Sequence, residues 1–222
     1  KNTVWKEIPL SLLAALLLGF MANDRLIDGA ESSMLSRIDG LVLISFFIIF
    51  LYYTFGIAKV QGEASDEGIK EFSYPKSILF IVLGLAGLTV GGKWIVDGAV
   101  KIAESFNVSQ SLIGLTIVAI GTSLPELATS AMAAYKKQSD IAIGNVVGSN
   151  IFNIFWILGF SSVLKPLPFN QSSQIDVMMT IFASLVLFVL LMIGKRHVIQ
   201  KWQGVLMILI YIGYLVFLIS NS

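Results

Sequence analysis

The stretch GTSLPELATS, Gly121–Ser130, lies inside an apolar run that extends from about Ser109 to Tyr135. If that run crosses a membrane, a proline, a carboxylate and four hydroxyls near its middle need a reason. Pro125 lacks the amide that would bond the Gly121 carbonyl, and its ring crowds that carbonyl away. Gly121 loosens the same turn. In lipid, a freed backbone carbonyl is costly unless protein, water or an ion satisfies it. The side chains add a second clue. Ala119, Thr122, Ser123 and Glu126 are spaced by three or four and so share one helical face. That face offers two hydroxyls, a carboxylate and loosened carbonyls, all of them oxygen. Glu126 lies ten residues before Lys136, which marks the end of the run. At ~1.5 Å per residue it sits ~15 Å deep, about half the hydrocarbon thickness. A carboxylate there costs at least ~2.5–3.5 kcal/mol on insertion scales, so it is expected to face the protein interior.

The composition supports the membrane premise. Of 222 residues, 56% are hydrophobic and only 13% are charged. Mean hydropathy is +0.83. A soluble domain carries about a quarter charged residues, so this chain has too few to cover a wet surface. A net charge of +1, with no basic cluster interleaved with aromatics, argues against nucleic acid as a partner. The absence of cysteine excludes disulfides and thiolate metal sites. The chain opens at Lys1 in a polar stretch and reads as part of a longer protein.

Seven hydrophobic stretches are present: about Ile8–Ala22, Gly40–Val60, Ser77–Phe106, Ser109–Tyr135, Asp140–Leu164, Gln174–Gly194 and Gln203–Ile219. A span needs roughly 20 apolar residues in helix. The first stretch is short and the third is long, with Gly91, Gly92, Lys93 and Asp97 in its second half. If the connections alternate sides, most Lys and Arg residues gather on the side of Lys59, Lys76, Lys136 and Lys137. Arg25, Arg37, Lys101 and Lys165 fall on the other. The first side is then cytoplasmic.

The fifth stretch repeats the theme of the fourth. Asn145, Ser149 and Asn153 form a slanting polar stripe, and Gly144, Gly148 and Gly159 invite a neighbouring backbone. Contact between the two helices would merge their oxygens into one site, suited to hard cations such as Na⁺, Ca²⁺ or Mg²⁺. Structural readings compete for individual residues. Thr129 and Ser130 are expected to bond a carbonyl one turn back. Asn150 suits an interhelical hydrogen bond, Gly91–Gly92 a bend or close packing, and Lys93 with Asp97 an interfacial pair or snorkelling groups. His197 stands alone in a basic loop and reads as solvated.

GLTIVAIGTSLPEL (Gly114–Leu127), followed by GNVVGSNIFNI (Gly144–Ile154), resembles the alpha-repeat of the cation/calcium antiporter superfamily, in particular its prokaryotic sodium/calcium exchangers. The long preceding helix, ending in VDGAVKIAESFNVS, agrees. The resemblance implies an all-α membrane protein of ten helices built as two inverted halves, each holding one alpha-repeat. The seven helices here would be helices four to ten. Residues 1–60 would hold two helices, 61–76 a charged cytoplasmic loop, and 77–222 a five-helix half with its repeat at 110–164. It further implies a metal site for transported Ca²⁺ and Na⁺ formed by the Ala119 carbonyl, Thr122, Ser123, Glu126, Ser149 and Asn153. Glu126 would be the shared central ligand, and no cofactor is implied. Asn153 stands where some exchangers have Asp, which bears on charge and stoichiometry. Only one alpha-repeat is found, and Ca²⁺ takes six to eight oxygens. The expected partners are therefore Na⁺ and Ca²⁺, the lipid bilayer, and N-terminal helices carrying the other repeat.

The implied activity is Na⁺/Ca²⁺ exchange by alternating access in a prokaryotic plasma membrane, with the long third helix as a sliding gate. An H⁺/Ca²⁺ or K⁺-dependent antiporter shares the fold. A cation channel is disfavoured because filters usually come from symmetric rings. A serine hydrolase is unsupported, since Ser123 has no neighbouring His or Lys base.

Overall fold

The computed structural model describes residues 4–61, 72–108, 113–193 and 199–220. Most of the charged loop expected at 61–76, and His197, lie outside these residues. The expected apolar stretches are helical. Helix α1 is Val4–Met21, α3 Arg37–Gln61, α4 Tyr74–Ser105, α9 Gln171–Ile193 and α10 Lys201–Ser220. A single turn, α2 (Asp24–Ile27), follows α1. The opening motif runs through a π-helical segment, π1 (Gly114–Val118), then α5 (Ala119–Thr122) and α6 (Leu124–Tyr135). The next span is α7 (Ser139–Ile151), a second π-helical segment π2 (Phe152–Leu158), and α8 (Gly159–Leu164). The sequence reading anticipated neither π segment.

Five helices are long and apolar enough to cross a membrane: Arg37–Gly56, Tyr74–Ser105, Ser139–Leu164, Ser173–Ile193 and Lys201–Ser220. The pair Thr116–Thr122 and Leu124–Tyr135 passes the same test only when taken together, across a 54° bend. Glu7–Met21 is a shorter apolar helix. By length and hydropathy the described residues therefore give five spans, or six with the bent pair, where the sequence suggested seven.

A small sheet constrains the path of the bent pair. Strand β1 (Ser33–Leu35) pairs antiparallel with β2 (Leu167–Phe169), Met34 lying opposite Pro168. Hydrogen-bonded strands lie on one side of a membrane, so the chain between them crosses an even number of times. The spans α3, α4 and Ser139–Leu164 account for three crossings. An even count is reached when the bent pair is one broken span, the fourth crossing, and not a re-entrant loop. The paired loops are the ones that carry Arg25, Arg37 and Lys165, the side expected from the charge asymmetry to be external.

Contacts divide the chain into two compact units, Lys1–Ser65 with Ser139–Gly204 and Asp66–Gln138 with Val205–Ser222. In the first unit, α1 packs on α7 and α9, and α3 packs on π2 and α8. Its core includes Ala14, Leu18, Leu43, Phe47, Val147, Ile151 and Phe155. Phe47 lies 5.4 Å from Trp156 and 5.7 Å from Phe152, ring centre to ring centre. A close backbone approach joins Gly40 and Gly159: a Cβ on Gly40 would fall 2.6 Å from the Gly159 carbonyl oxygen. Of the glycines expected to admit a neighbour, Gly159 does so against α3, whereas a Cβ on Gly148 would meet nothing within 4 Å.

Local sequence sets where these helices start. Ser36 and Asp39 cap α3 reciprocally: the Ser36 amide donates to Asp39 Oδ2 (2.8 Å) and the Asp39 amide to Ser36 Oγ (3.2 Å). Asn170 Oδ1 accepts from the Ser173 amide at the start of α9 (2.9 Å). Fully buried Gln203 accepts from the Gln200 amide (2.8 Å) and donates to the Leu190 carbonyl (2.6 Å), tying the first turn of α10 to α9.

In the second unit, α4 packs along π1, α5 and α6. It is unbroken for 32 residues, passing through Gly91 and Gly92 without a helix end. No part of its apolar window is buried, as suits a helix facing lipid. The steric need for glycine falls instead on its partner. Buried Gly121 lies directly against Val96, whose Cγ2 occupies the place a Cβ would take.

Candidate functional site

Pro125 breaks the fourth span as its chemistry requires. Having no amide, it cannot continue the α-helical ladder onto the Gly121 carbonyl. The chain turns at Ser123 (φ −95°, ψ 1°) and restarts as α6, with Pro125 in the first turn, where a missing amide costs nothing. The Ser123 amide donates to the Ile120 carbonyl (3.1 Å), and the Ser123 carbonyl accepts from the Leu127 amide (3.0 Å). Glu126 therefore sits in the first turn of a new helix. Unpaired amides and the positive end of the helix dipole favour an anionic side chain there. The sequence reading missed this, although Ser123-Leu-Pro-Glu126 has the spacing of a capping box. Ser123 makes no side-chain capping bond, so its hydroxyl is not spent on the helix start.

Thr122, Ser123 and Glu126 gather around this break, and all three are exposed. The reason lies in how α4 is seated. The face of the broken helix laid on α4 carries Val118, Gly121, Thr122 and Pro125. Glu126, the next residue, lies about 100° further round the helix and off that contact. Within the described residues Glu126 therefore stands on an exposed face of the broken helix. The Ala119 carbonyl belongs to the first turn of α5, immediately before the break.

In the first unit, Ser149 is half-buried on α7 and donates to the Val146 carbonyl (2.9 Å). Asn153 is exposed within π2. A π segment widens the turn and shifts every later side chain around the axis, and such segments are frequent at functional sites. Each of the two motif helices carries one. Thr129 donates to the Pro125 carbonyl (2.8 Å), the structural role expected of it. Lys93 and Asp97 make no ion pair with each other or with any described residue. Both line an open cavity of about 300 Å³ between α4 and the break. Among the described residues, no three His, Asp or Glu side chains gather into a metal-binding group. The oxygens at the break are therefore chiefly hydroxyl and carbonyl around one carboxylate, a set suited to a hard cation in passage.

Comparison with known proteins identifies the family. Residues 76–220 match the family described as sodium/calcium exchanger protein. The putative antiporter CaxA of Alkalimonas amylolytica is 35% identical, over 99% of this chain and 69% of its own length. The sodium/calcium exchanger MaX1 of Methanosarcina acetivorans is 38% identical, over 67% of this chain and 42% of its own. The solved sodium/calcium exchanger of Methanococcus jannaschii superimposes with a TM-score of 0.75 at 32% identity, covering 97% of this chain and 65% of that one. The chain thus spans about two thirds of the length of CaxA and of the solved exchanger. The bacterial and archaeal relatives accord with a prokaryotic plasma membrane. On the match of both motif helices, the fold and these relatives, the chain belongs to the sodium/calcium exchanger protein family, a family of multi-pass membrane antiporters and not of enzymes.

Proposed function

We propose that this chain is part of an antiporter that exchanges Na⁺ for Ca²⁺ by alternating access, with Glu126 as the central ligand. The observation that carries the reading is the 54° break at Pro125, with a carboxylate and two hydroxyls standing exposed around it in a helix pair whose joint length and hydropathy suit a membrane span. Left against lipid at that depth, the carboxylate alone costs at least ~2.5–3.5 kcal/mol on insertion scales. A cation, water and further protein relieve that cost. Thr122, Ser123 and the Ala119 carbonyl complete this helix's share, and Ser149 and Asn153 contribute from the following span. Ca²⁺ takes six to eight oxygens, so the remainder comes from a second alpha-repeat, on helices corresponding to the third of the relatives that this chain does not span. These helices cover the exposed face of the break.

Na⁺ and Ca²⁺ compete for the same oxygens, and occupancy allows the site to change the side it faces. The neutral Asn153 favours one alternative in particular, a different coupling ion, because it leaves less negative charge to balance. Reconstituted full-length protein separates the two. A sodium gradient at fixed pH drives Ca²⁺ uptake if the proposal holds. Uptake that follows a pH gradient, and ignores sodium, assigns the coupling to protons.

A further inference from the structure

The cavity beside the break holds charges that the proposed ligand set does not use. Thr89, Lys93 and Asp97 are spaced by four on α4 and share one face. Val96, on the same side, packs against Gly121, so this face is laid on the break. Thr122 and Pro125 form the opposite wall. On the neighbouring faces of α4, Trp94 and Ile95 are exposed and apolar. The charges in this part of α4 are therefore gathered on the side toward the break. Neither is neutralised: Lys93 and Asp97 make no ion pair among the described residues. In the external orientation derived above, Asp97 is the outer of the two and Lys93 lies one turn further in.

We infer that Asp97 and Lys93 form an electrostatic selector on the external approach to the break. The inference rests on the break being the ion site. Asp97 raises the local concentration of cations in the cavity, and Lys93 opposes them closer to the site. Apolar walls focus both fields. The pair discriminates by valence, because a fixed charge acts on Ca²⁺ with twice the energy it exerts on Na⁺ at the same place. A unit charge acting on a divalent ion ~8 Å away at the dielectric of water changes its binding about fivefold, and that of a monovalent ion about twofold.

The test uses full-length protein in proteoliposomes and reads half-saturating external Ca²⁺ and Na⁺. Asp97→Asn is expected to raise the Ca²⁺ value about fivefold and the Na⁺ value about twofold. Lys93→Gln is expected to lower both in the same proportion. Asp97→Glu, which keeps the charge, stays near the unsubstituted protein, and raising an impermeant salt shrinks the shifts. Equal shifts for the two ions, shifts of one sign for both charge removals, or no shift in either would overturn the inference. If Asp97→Asn does not fold, Lys93→Gln decides through its tighter half-saturation or the lack of it. Failure of the underlying site is read separately: Glu126→Gln retaining exchange rejects the break as the ion site, whatever the selector variants do.

Discussion

The contact between Gly121 and Val96 gives a prediction whose size follows from geometry. In Gly121→Ala the added methyl falls on Val96 Cγ2, and lies 3.3 Å from Val96 Cβ and 3.4 Å from Cγ1. Valine cannot swing aside cheaply, because one χ1 rotamer dominates in a helix. Overpacking of this kind costs ~1–3 kcal/mol. For a chain of this size, that lowers the melting temperature by roughly 2–12 °C. Val96→Ala alone removes two methyls from a half-buried side chain and costs about 1–2 kcal/mol. The double substitution removes the collision, so it is expected to be no less stable than Val96→Ala, with a coupling of about 1–3 kcal/mol. Thermal unfolding in detergent of the four proteins completes the cycle. Additivity within ~0.5 kcal/mol would refute the claim that α4 is seated on the break through this glycine.

The break, the glycine contacts and the paired loops each have a measurable consequence. Pro125→Ala restores the missing amide and closes the ladder onto the Gly121 carbonyl, so α5 and α6 straighten; exchange in proteoliposomes is expected to drop at least about tenfold while the protein stays folded, and wild-type flux would contradict this. Gly40→Ala places a Cβ 2.6 Å from the Gly159 carbonyl oxygen and should cost about 3 kcal/mol or more, whereas Gly148→Ala meets open space and should change the melting temperature little. The chain has no cysteine, so single cysteines report sidedness without background. Met34→Cys, Phe106→Cys and Pro168→Cys should react with an impermeant thiol reagent from one side and Gln138→Cys from the other. Labelling of positions 106 and 138 from the same side would make the bent pair re-entrant.

Much of the fold was legible because the bilayer imposes length and polarity so strictly. Apolar runs near Gly40–Val60, Ser77–Phe106 and Gln203–Ile219 recur as helices within a few residues of those limits. The break at Pro125 was legible for a local reason, since a missing amide is a property of one residue. The two π segments were not, because nothing in GLTIV or FNIFWIL distinguishes a widened turn from an ordinary one before packing is known. Small residues misled in part for the same reason. Gly144, Gly148 and Gly159 all read as approach points, yet only the partner's shape makes Gly159 one and leaves Gly148 open. Gly121, read as a loosening of the backbone, is also the point of closest contact with α4. The oxygens proposed for the site can be picked out on the sequence, but their exposure cannot, because it depends on which face α4 covers. The pairing expected of Lys93 and Asp97 rested on spacing alone. Spacing by four places two groups on one face without fixing what they touch.

The most direct test bears on Glu126. Full-length protein and its Glu126→Gln variant, reconstituted at equal density, are compared for sodium-driven ⁴⁵Ca²⁺ uptake and for Ca²⁺/Ca²⁺ counterflow, with melting temperature as the check on folding. The glutamine keeps the size of the side chain and removes its charge. A folded variant with both fluxes lost is the predicted result. A variant that unfolds like the parent and still carries Ca²⁺ would contradict the assignment of a membrane-embedded carboxylate as the ion's central ligand.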